Sequence, residues 1–363
     1  MKNNLVDKNR FKSMGIRVNL TPIDGPQMEC PVCTKSGSSL LRHAYDDRYG
    51  QPDRFSLVAC KNCGHIMTMP RLCDSDLAGL YSTYYPRKQV NVEDLKREVG
   101  RSSISLANLR RWWGGTNNQG QYAVKPGELM LDIGCGSCLS LLEARAMGAE
   151  VRGIDADPNV KRIADDLGLS IHIGSLIDEP FSDMKFDLIV LNQVLEHVPD
   201  PSLMLVRLRS RLKSEGRIIL VFPNVDSFWR KLFRNSWINW HIPYHLHHFS
   251  YKSFKRMTER LGYQVRSVRT ITPNLWTILQ IRSSLIRVNR GDPSPIWAVS
   301  ASSSGEQGDA ELIKFRLSHI FRELARLALK FGLILPIPLL NRLVDMTGYG
   351  DSVMVEIVSE EIS

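Results

Sequence analysis

Four cysteines fall into two pairs, Cys30-Pro31-Val32-Cys33 and Cys60-Lys61-Asn62-Cys63, with 26 residues between them. Each Cys-x-x-Cys turn aims two thiolates at one point, and two such turns supply the four soft ligands of a closed tetrahedral zinc site. A structural zinc ion is therefore expected on Cys30, Cys33, Cys60 and Cys63, with His43 and His65 as competing ligands. The other three cysteines, Cys73, Cys135 and Cys138, are expected to be small buried hydrophobes.

A second chemical signal is the string Leu131-Asp132-Ile133-Gly134-Cys135-Gly136-Ser137. It closes an apolar strand and opens a helix. Two glycines let backbone approach a ligand closely, and the helix start offers free N–H groups. A dinucleotide fingerprint needs a third glycine, where this chain has Leu139. Asp132, two residues before Gly134, is poor company for a pyrophosphate. It suits a ligand with a cationic end, such as an amino acid or a sulfonium. Asp155 closes the next strand in VRGIDADP, where a carboxylate can accept from both ribose hydroxyls. Together these point to an adenosine ligand without a pyrophosphate.

Histidines form the third signal. His197 lies in LEHVPDP, and His241, His245, His247 and His248 lie in HIPYHLHHFS. Histidine is the usual proton acceptor near neutral pH. His241 and His245 have the spacing of a helical metal pair, but Pro243 interrupts it.

The elements that must carry these residues alternate regularly. Strands are expected at 129–133, 150–154, 170–173, 186–191, 217–221, 264–270 and 351–358, with helices at 140–148, 159–168, 202–213 and 251–261. Such alternation predicts an α/β fold with a mostly parallel sheet. The expected organisation is a flexible lead-in (1–27), a hairpin-rich zinc module (28–72) and a helical connector (73–126). A core (127–271 plus 351–360) follows, with a loop and helical cap inserted at 272–350. Within the connector, LYSTYYP reads as an aromatic docking segment. The 291–309 stretch is Gly-, Ser- and Pro-rich and reads as a disordered loop.

The chain has 363 residues, 43% hydrophobic and 23% charged, which excludes wholesale disorder, collagen and coiled coil. The longest near-apolar run, Phe331 to Leu340, is far shorter than the roughly 20 residues a membrane span needs. The polar start MKNNLVDKNRFK has no apolar secretory region. The expected location is cytoplasmic, with peripheral contact at the inner membrane face through the C-terminal insertion. The net charge is +9, yet residues 201–300 alone carry 17 basic and 4 acidic side chains. That region is either a solvated basic face or a site for an anionic partner.

LDIGCGSC, the GIDADP strand end and FDLIVLNQVLEHVPDP together resemble the motifs of class I S-adenosylmethionine-dependent methyltransferases. The resemblance covers roughly 127–271 plus the final strand. It implies a Rossmann-like seven-stranded sheet whose last strand is antiparallel, a small N-terminal zinc-ribbon-like module, and a helical insertion before that strand. It implies cofactor contacts from Asp132, Gly134, Cys135 and Gly136 at the methionine end and from Asp155 and Ala156 at the ribose. Ser175, where an acid is common, lies at the adenine, and Asn192 and Gln193 lie beside the cofactor.

The string CPVC…CKNCGHIMTMPRL resembles the zinc module of bacterial sugar methyltransferases, and HLHHFS resembles a string of sugar- and quinone-modifying relatives. On that likeness His245 matches the motif histidine; His245 and His197 are the candidate bases, and Tyr244 a residue to position the acceptor. The expected partner is a small-molecule or glycan acceptor: a sugar hydroxyl or carbon, or in the alternative a quinone-type phenol. A zinc-containing nucleic-acid-binding protein is the rival of a different class, to be told apart by a steep salt dependence of binding. A base-methylating enzyme lies between the two, and no Asn-Pro-Pro-Tyr-like string follows the fourth core strand. A homodimer through the cap is a further expectation.

Overall fold

A computed structural model describes residues 29–86, 90–102, 106–297 and 336–360. Its N-terminal part holds three antiparallel strands, β1 (Ser38–Ala44), β2 (Phe55–Cys60) and β3 (Ile66–Met69). Three helices follow: α1 (Asp74–Thr83), α2 (Val92–Ser102) and α3 (Ala107–Gly114). The core runs β4 (Leu129–Ile133), α4 (Leu139–Ala146), β5 (Glu150–Asp155), α5 (Asn159–Asp166), β6 (Ile171–Ile173), β7 (Phe186–Asn192), α6 (Pro201–Arg209) and β8 (Leu212–Pro223). After it come α7 (Phe228–Phe233), β9 (His247–His248), α8 (Tyr251–Arg260), β10 (Tyr263–Ile271), α9 (Asn274–Ser284), α10 (Pro336–Met346) and β11 (Ser352–Ser359).

The seven core strands form one sheet in the order β10-β11-β8-β7-β4-β5-β6. β11 is antiparallel to both of its neighbours, and the remaining pairs are parallel. The central strands are apolar throughout because helices cover both faces. Leu131, Ile133, Ile189, Leu191, Ile218 and Leu220 face one apolar layer, and Met130, Leu188, Val190, Ile219 and Val221 face the other. The expected α/β architecture is therefore present.

Boundaries moved where tertiary pairing outweighed local pattern. The basic helix expected over 202–213 stops at Arg209. There the chain turns, because the Phe186 amide donates to the Arg211 carbonyl (2.8 Å) and Leu212 pairs with Phe186. β8 thus starts at Leu212 rather than Arg217. Its start is secured by α6, where Pro201 is at the first helical position and the Asp200 carboxylate accepts from the Leu203 amide (2.9 Å). Of the stretch expected to be a disordered loop, 291–297 is tied down. Pro293 bridges Tyr49, and the Ser294 amide donates to the Arg48 carbonyl (2.8 Å). Residues 298–309 and the lead-in 1–27 lie outside the described residues. So does the expected cap helix from 311, except for α10 at its end.

Cys73 overturns its expectation. It is exposed and caps α1, with its thiol 3.0 Å from the Asp76 carboxylate. Cys135 and Cys138 are buried, as expected of small hydrophobes. The N-terminal sheet does not close within 28–72. Its fourth strand is β9, which brings His247 and His248 opposite Met67 and Ile66 of β3. No helix among the described residues is long and apolar enough to cross a membrane.

Candidate active site

The sheet order reverses between β4 and β7: from β4 the chain winds outward to β5 and β6, from β7 to β8 and beyond. Ligands in such sheets bind at the carboxyl ends of the strands at that switch point. β4 ends there in Gly134-Cys135-Gly136. Gly134 has φ +72°, and a Cβ on it would lie 2.5 Å from the Val194 side chain, so only glycine fits. A Cβ on Gly136 would meet nothing nearer than 3.9 Å, so this turn looks onto open space. The Asp155 carboxylate at the end of β5 accepts from the Gly136 amide (2.7 Å) and the Asp157 amide (2.8 Å). Asp132 is buried and takes the Ser140 hydroxyl, and burial pushes its carboxyl up to about 7.

The other expected cofactor residues have definite neighbours. Ala156 follows Asp155 into the turn before α5. The Cys135 thiol faces Gly153 within the core. Ser175 starts a short helical turn, its hydroxyl accepting from the Ile177 amide (3.1 Å). The carboxylate nearest that strand end is Asp178, which accepts from the Ser175 amide (2.8 Å) and lies 2.9 Å from His172 Nε2. Asn192 is occupied by the turn before β4, accepting from the Gly120 amide (2.8 Å) and donating to Gln121 (3.0 Å). Gln193 has φ +56°, and its side chain lies 3.5 Å from the Ser352 hydroxyl.

A buried polar cluster lies beside this switch point. Val194, which covers Gly134, leads directly into Glu196 and His197. His245 donates from Nδ1 to the Asn239 carbonyl (2.8 Å), which leaves Nε2 as the lone-pair nitrogen, 3.3 Å from His241 Nδ1. The His197 Nδ1–H faces the Tyr244 carbonyl and the Tyr81 phenol oxygen, each 2.9 Å away. Its ring and that of His245 are 4.7 Å apart, edge to face. Tyr49, Tyr81 and Tyr85 pack edge-on or tilted around Tyr244. The aromatic segment LYSTYYP thus docks here. Glu196 is 1% exposed, and neither carboxylate oxygen has a partner; burial pushes its carboxyl up to about 8. The Tyr244 hydroxyl and His241 Nε2 are likewise buried without partners. Burial holds His245 well below 6.5 and His197 at about 4, so both imidazoles are neutral at physiological pH. Glu196, His197 and His245 each offer a ligand atom within 4.8 Å of the others, a set able to accept protons or to hold a divalent cation.

Residues 109–268 match the family model described as a methyltransferase domain. The chain carries a methyltransferase domain over these residues. An uncharacterized protein of Methanocaldococcus jannaschii is 28% identical over 120 residues, which is 33% of this chain and 58% of that protein. A ubiquinone biosynthesis O-methyltransferase of Actinobacillus pleuropneumoniae is 36% identical over 112 residues, which is 28% of this chain and 47% of that enzyme. The chain thus spans about half the length of these relatives. The plantazolicin methyltransferase solved with SAH is 14% identical and covers 78% of this chain and 94% of its own, with a TM-score of 0.40.

Outside the methyltransferase domain the four paired cysteines converge. The Cys30 and Cys63 sulfurs are 3.6 Å apart, as are those of Cys33 and Cys60. Zinc–sulfur bonds of about 2.3 Å in a tetrahedron require sulfurs about 3.8 Å apart, whereas a disulfide needs about 2 Å. All four sulfurs lie within 4.8 Å of one another. The competing histidines go elsewhere: His43 pairs with Ser56 (3.0 Å) and His65 with His247 (3.1 Å). Sequence reasoning missed Glu196 and Tyr49, while Tyr81 lay within the segment expected to dock. The signal for Glu196 was present, as an acid directly preceding His197 at a strand end. Tyr49 carried no local signal.

The buried imidazoles set an acid limit. His241, His245, His247 and His248 are all held below 6.5 by burial, His247 at about 4 and His248 at about 3. The unfolded chain takes up these protons near pH 6.5 and the folded chain only at lower pH. Their stabilisation is therefore complete above pH 6.5 and is lost as pH falls. By pH 4.5, His247 and His248 alone remove about 5 kcal/mol, at 1.36 kcal/mol per unit. Asp46 and Asp351, raised to about 6 by burial, Asp132, raised to about 7, and Glu196, raised to about 8, act in the opposite sense and offset part of this loss. The melting temperature is expected to fall continuously from pH 6.5 to 4.5. A flat profile in calorimetry, with zinc content followed in parallel, would contradict this.

Proposed function

We propose that the protein transfers a methyl group from S-adenosylmethionine to a small-molecule or glycan acceptor, most plainly a sugar hydroxyl or carbon. The cofactor supplies a methyl carbon made electrophilic by its sulfonium. The chain's own residues bind, align and deprotonate. Asp155 accepts from the ribose hydroxyls, the Gly134–Gly136 turn admits the methionine end, and Asp132 faces its cationic group. His245 Nε2 takes the proton of the acceptor. His197, Tyr244 and the three tyrosines exclude water around it, since alignment and dehydration are most of what an in-line transfer asks of an enzyme. One zinc ion on Cys30, Cys33, Cys60 and Cys63 holds the N-terminal sheet, which shapes the acceptor side. The observation that carries this reading is the tautomer of His245. Its Nδ1–H is committed to Asn239, so its basic nitrogen points into a buried polar cluster beside Val194 and the glycine turn.

O-methylation of a quinone-type phenol is the second reading, favoured by several ubiquinone biosynthesis O-methyltransferases that are 27–36% identical over the matched segments.

The deciding experiment incubates purified protein with methyl-labelled S-adenosylmethionine and fractionated bacterial extract. Label in nucleotide sugars or soluble glycans supports the first reading, and label in the quinone fraction supports the second. No labelled fraction, from protein that binds the cofactor, contradicts both. Asp155→Ala removes two charge-assisted hydrogen bonds to the ribose. Titration calorimetry is expected to show at least about a tenfold weaker cofactor Kd, with a lower melting temperature because the Gly136 and Asp157 amides lose their acceptor. An unchanged Kd would take Asp155 out of the site.

A further inference from the structure

Two helices, α9 and α10, are turned inside out. Amphipathic helices on a water-soluble core bury their apolar stripe. α10 buries Asn341 and Arg342 beside Ile337, Pro338 and Val344, and exposes Leu339, Leu340, Leu343 and Met346, which share one face. α9 buries Thr277 and Gln280 and exposes Leu275, with Leu285 and Ile286 just past its end.

The inward polar groups are satisfied. Asn341 accepts from Trp229 Nε1 and Thr277 Oγ1 (3.1 Å each) and donates to Asn274 (3.0 Å). Gln280 accepts from the Ile238 amide (2.7 Å) and donates to the Ser236 carbonyl (2.8 Å). Arg342 donates to the carbonyls of Thr272 and Trp112 and pairs with Asp345. These bonds fix the orientation: rotating either helix to hide its leucines would strand a buried amide or guanidinium.

The face extends over neighbouring helices. Asn274 donates to the Trp113 carbonyl (2.9 Å), and with Arg342 this pins α3, whose Leu109, Trp112 and Trp113 are exposed. Across α10, a hollow of about 460 Å³ lined by Phe228, Lys231, Leu343 and Tyr349 joins it to α7. Charge on the surrounding surface is mainly basic, although the exposed Asp226 and Asp292 flank it. Arg110, Lys231, Arg234, Arg282, Arg287 and Arg290 are exposed on these helices or next to them. The only carboxylate on α3, α7, α9 and α10 is Asp345, already paired with Arg342.

We propose that this face docks the protein on an anionic lipid surface. Leucines and tryptophans enter the acyl–headgroup boundary, and the basic side chains meet lipid phosphates. Apolar-out helices are stable where the medium outside is apolar, tryptophan suits the interface, and cationic side chains next to such a face select anionic headgroups. The contact lies on the membrane, since no described helix can cross it. The proposal does not depend on which acceptor is methylated.

The test is flotation of the full-length, zinc-replete protein with vesicles of phosphatidylcholine, and of phosphatidylcholine with an equal part of phosphatidylglycerol. Most of the protein is expected to float with the anionic vesicles and at least about tenfold less with the neutral ones. Brominated lipid is expected to quench tryptophan emission. The double variant Leu339→Gln, Leu343→Gln is expected to keep its melting temperature and lose flotation, as is Lys231→Glu with Arg282→Glu. Flotation of either variant like the unaltered protein would overturn the proposal. So would protein that ignores anionic vesicles, whether because light scattering shows a second copy of the chain on the face or because residues 298–335 cover it.

Discussion

His245→Gln is expected to lower turnover by about 10²–10⁴-fold while leaving cofactor affinity unchanged, because it removes a base and not a binding contact. The imidazole is 6% exposed, and its hydrogen bonds, from Nδ1 to the Asn239 carbonyl and between Nε2 and His241 Nδ1, do not involve its own main chain. Glutamine retains the size and a donor but has no nitrogen lone pair to take a proton. The measurement is label transfer to whichever extract fraction takes up the methyl group, with cofactor binding measured on the same protein. His245→Gly, assayed with added imidazole, is expected to regain part of its rate, which a merely structural loss would not do. If His245→Gln turns over like the unaltered protein, the base lies elsewhere, and His197, whose Nε2 is also free of the hydrogen bonds that hold Nδ1, is the next to replace.

Removal of zinc is expected to have the largest effect on folding. Structural zinc ions are worth roughly 10–16 kcal/mol in small metal-dependent folds, as much as the whole stability of an ordinary domain. Cys30, Cys33 and Cys60 are buried in the same apolar layer as Leu195 and Phe249, so losing the ion leaves thiols that must be packed without it. Metal analysis is expected to find about one zinc per chain. Cys60→Ser, or a strong chelator, is expected to open the module to protease between residues 29 and 73 and to lower turnover more than tenfold. The link to turnover is physical. The Thr68 amide donates to the Leu246 carbonyl (3.0 Å), and its hydroxyl donates to the His245 carbonyl (2.6 Å). Strand β3 therefore holds the loop that carries the base. Folded, fully active protein without zinc would refute the metal site. Intact turnover with a protease-sensitive module would refute the coupling.

Much of this protein was legible locally. The core strands announced themselves because a sheet covered on both faces needs continuous apolar runs, and those runs survive in any register. Gly134, Gly136 and Asp155 were legible because a turn that admits a ligand tolerates few residue types. The paired cysteines were legible because two Cys-x-x-Cys turns read from spacing alone, and their four sulfurs do converge. Boundaries failed where a distant partner took over: β8 begins at Leu212 because Phe186 is there to pair with it, not because Leu212 favours a strand.

Other features depend on contacts far apart in sequence. Nothing near His247 says that it will lie opposite Met67 and complete the sheet of a zinc module. Glu196 reads as an ordinary surface acid until Leu246 and the histidine loop close over it, and the Leu246 amide donates to its carbonyl (2.8 Å). The sequence placed α10 within a helical insertion but could not say which side faces inward. Asn341 decides that, by meeting Trp229, Thr277 and Asn274 at once. The sequence alone determined the chemistry available and the local elements, since both depend on residue type and short spacing. Only the tertiary structure decided which groups lose water and face one another, because burial and pairing are properties of chain segments brought together from across the whole fold.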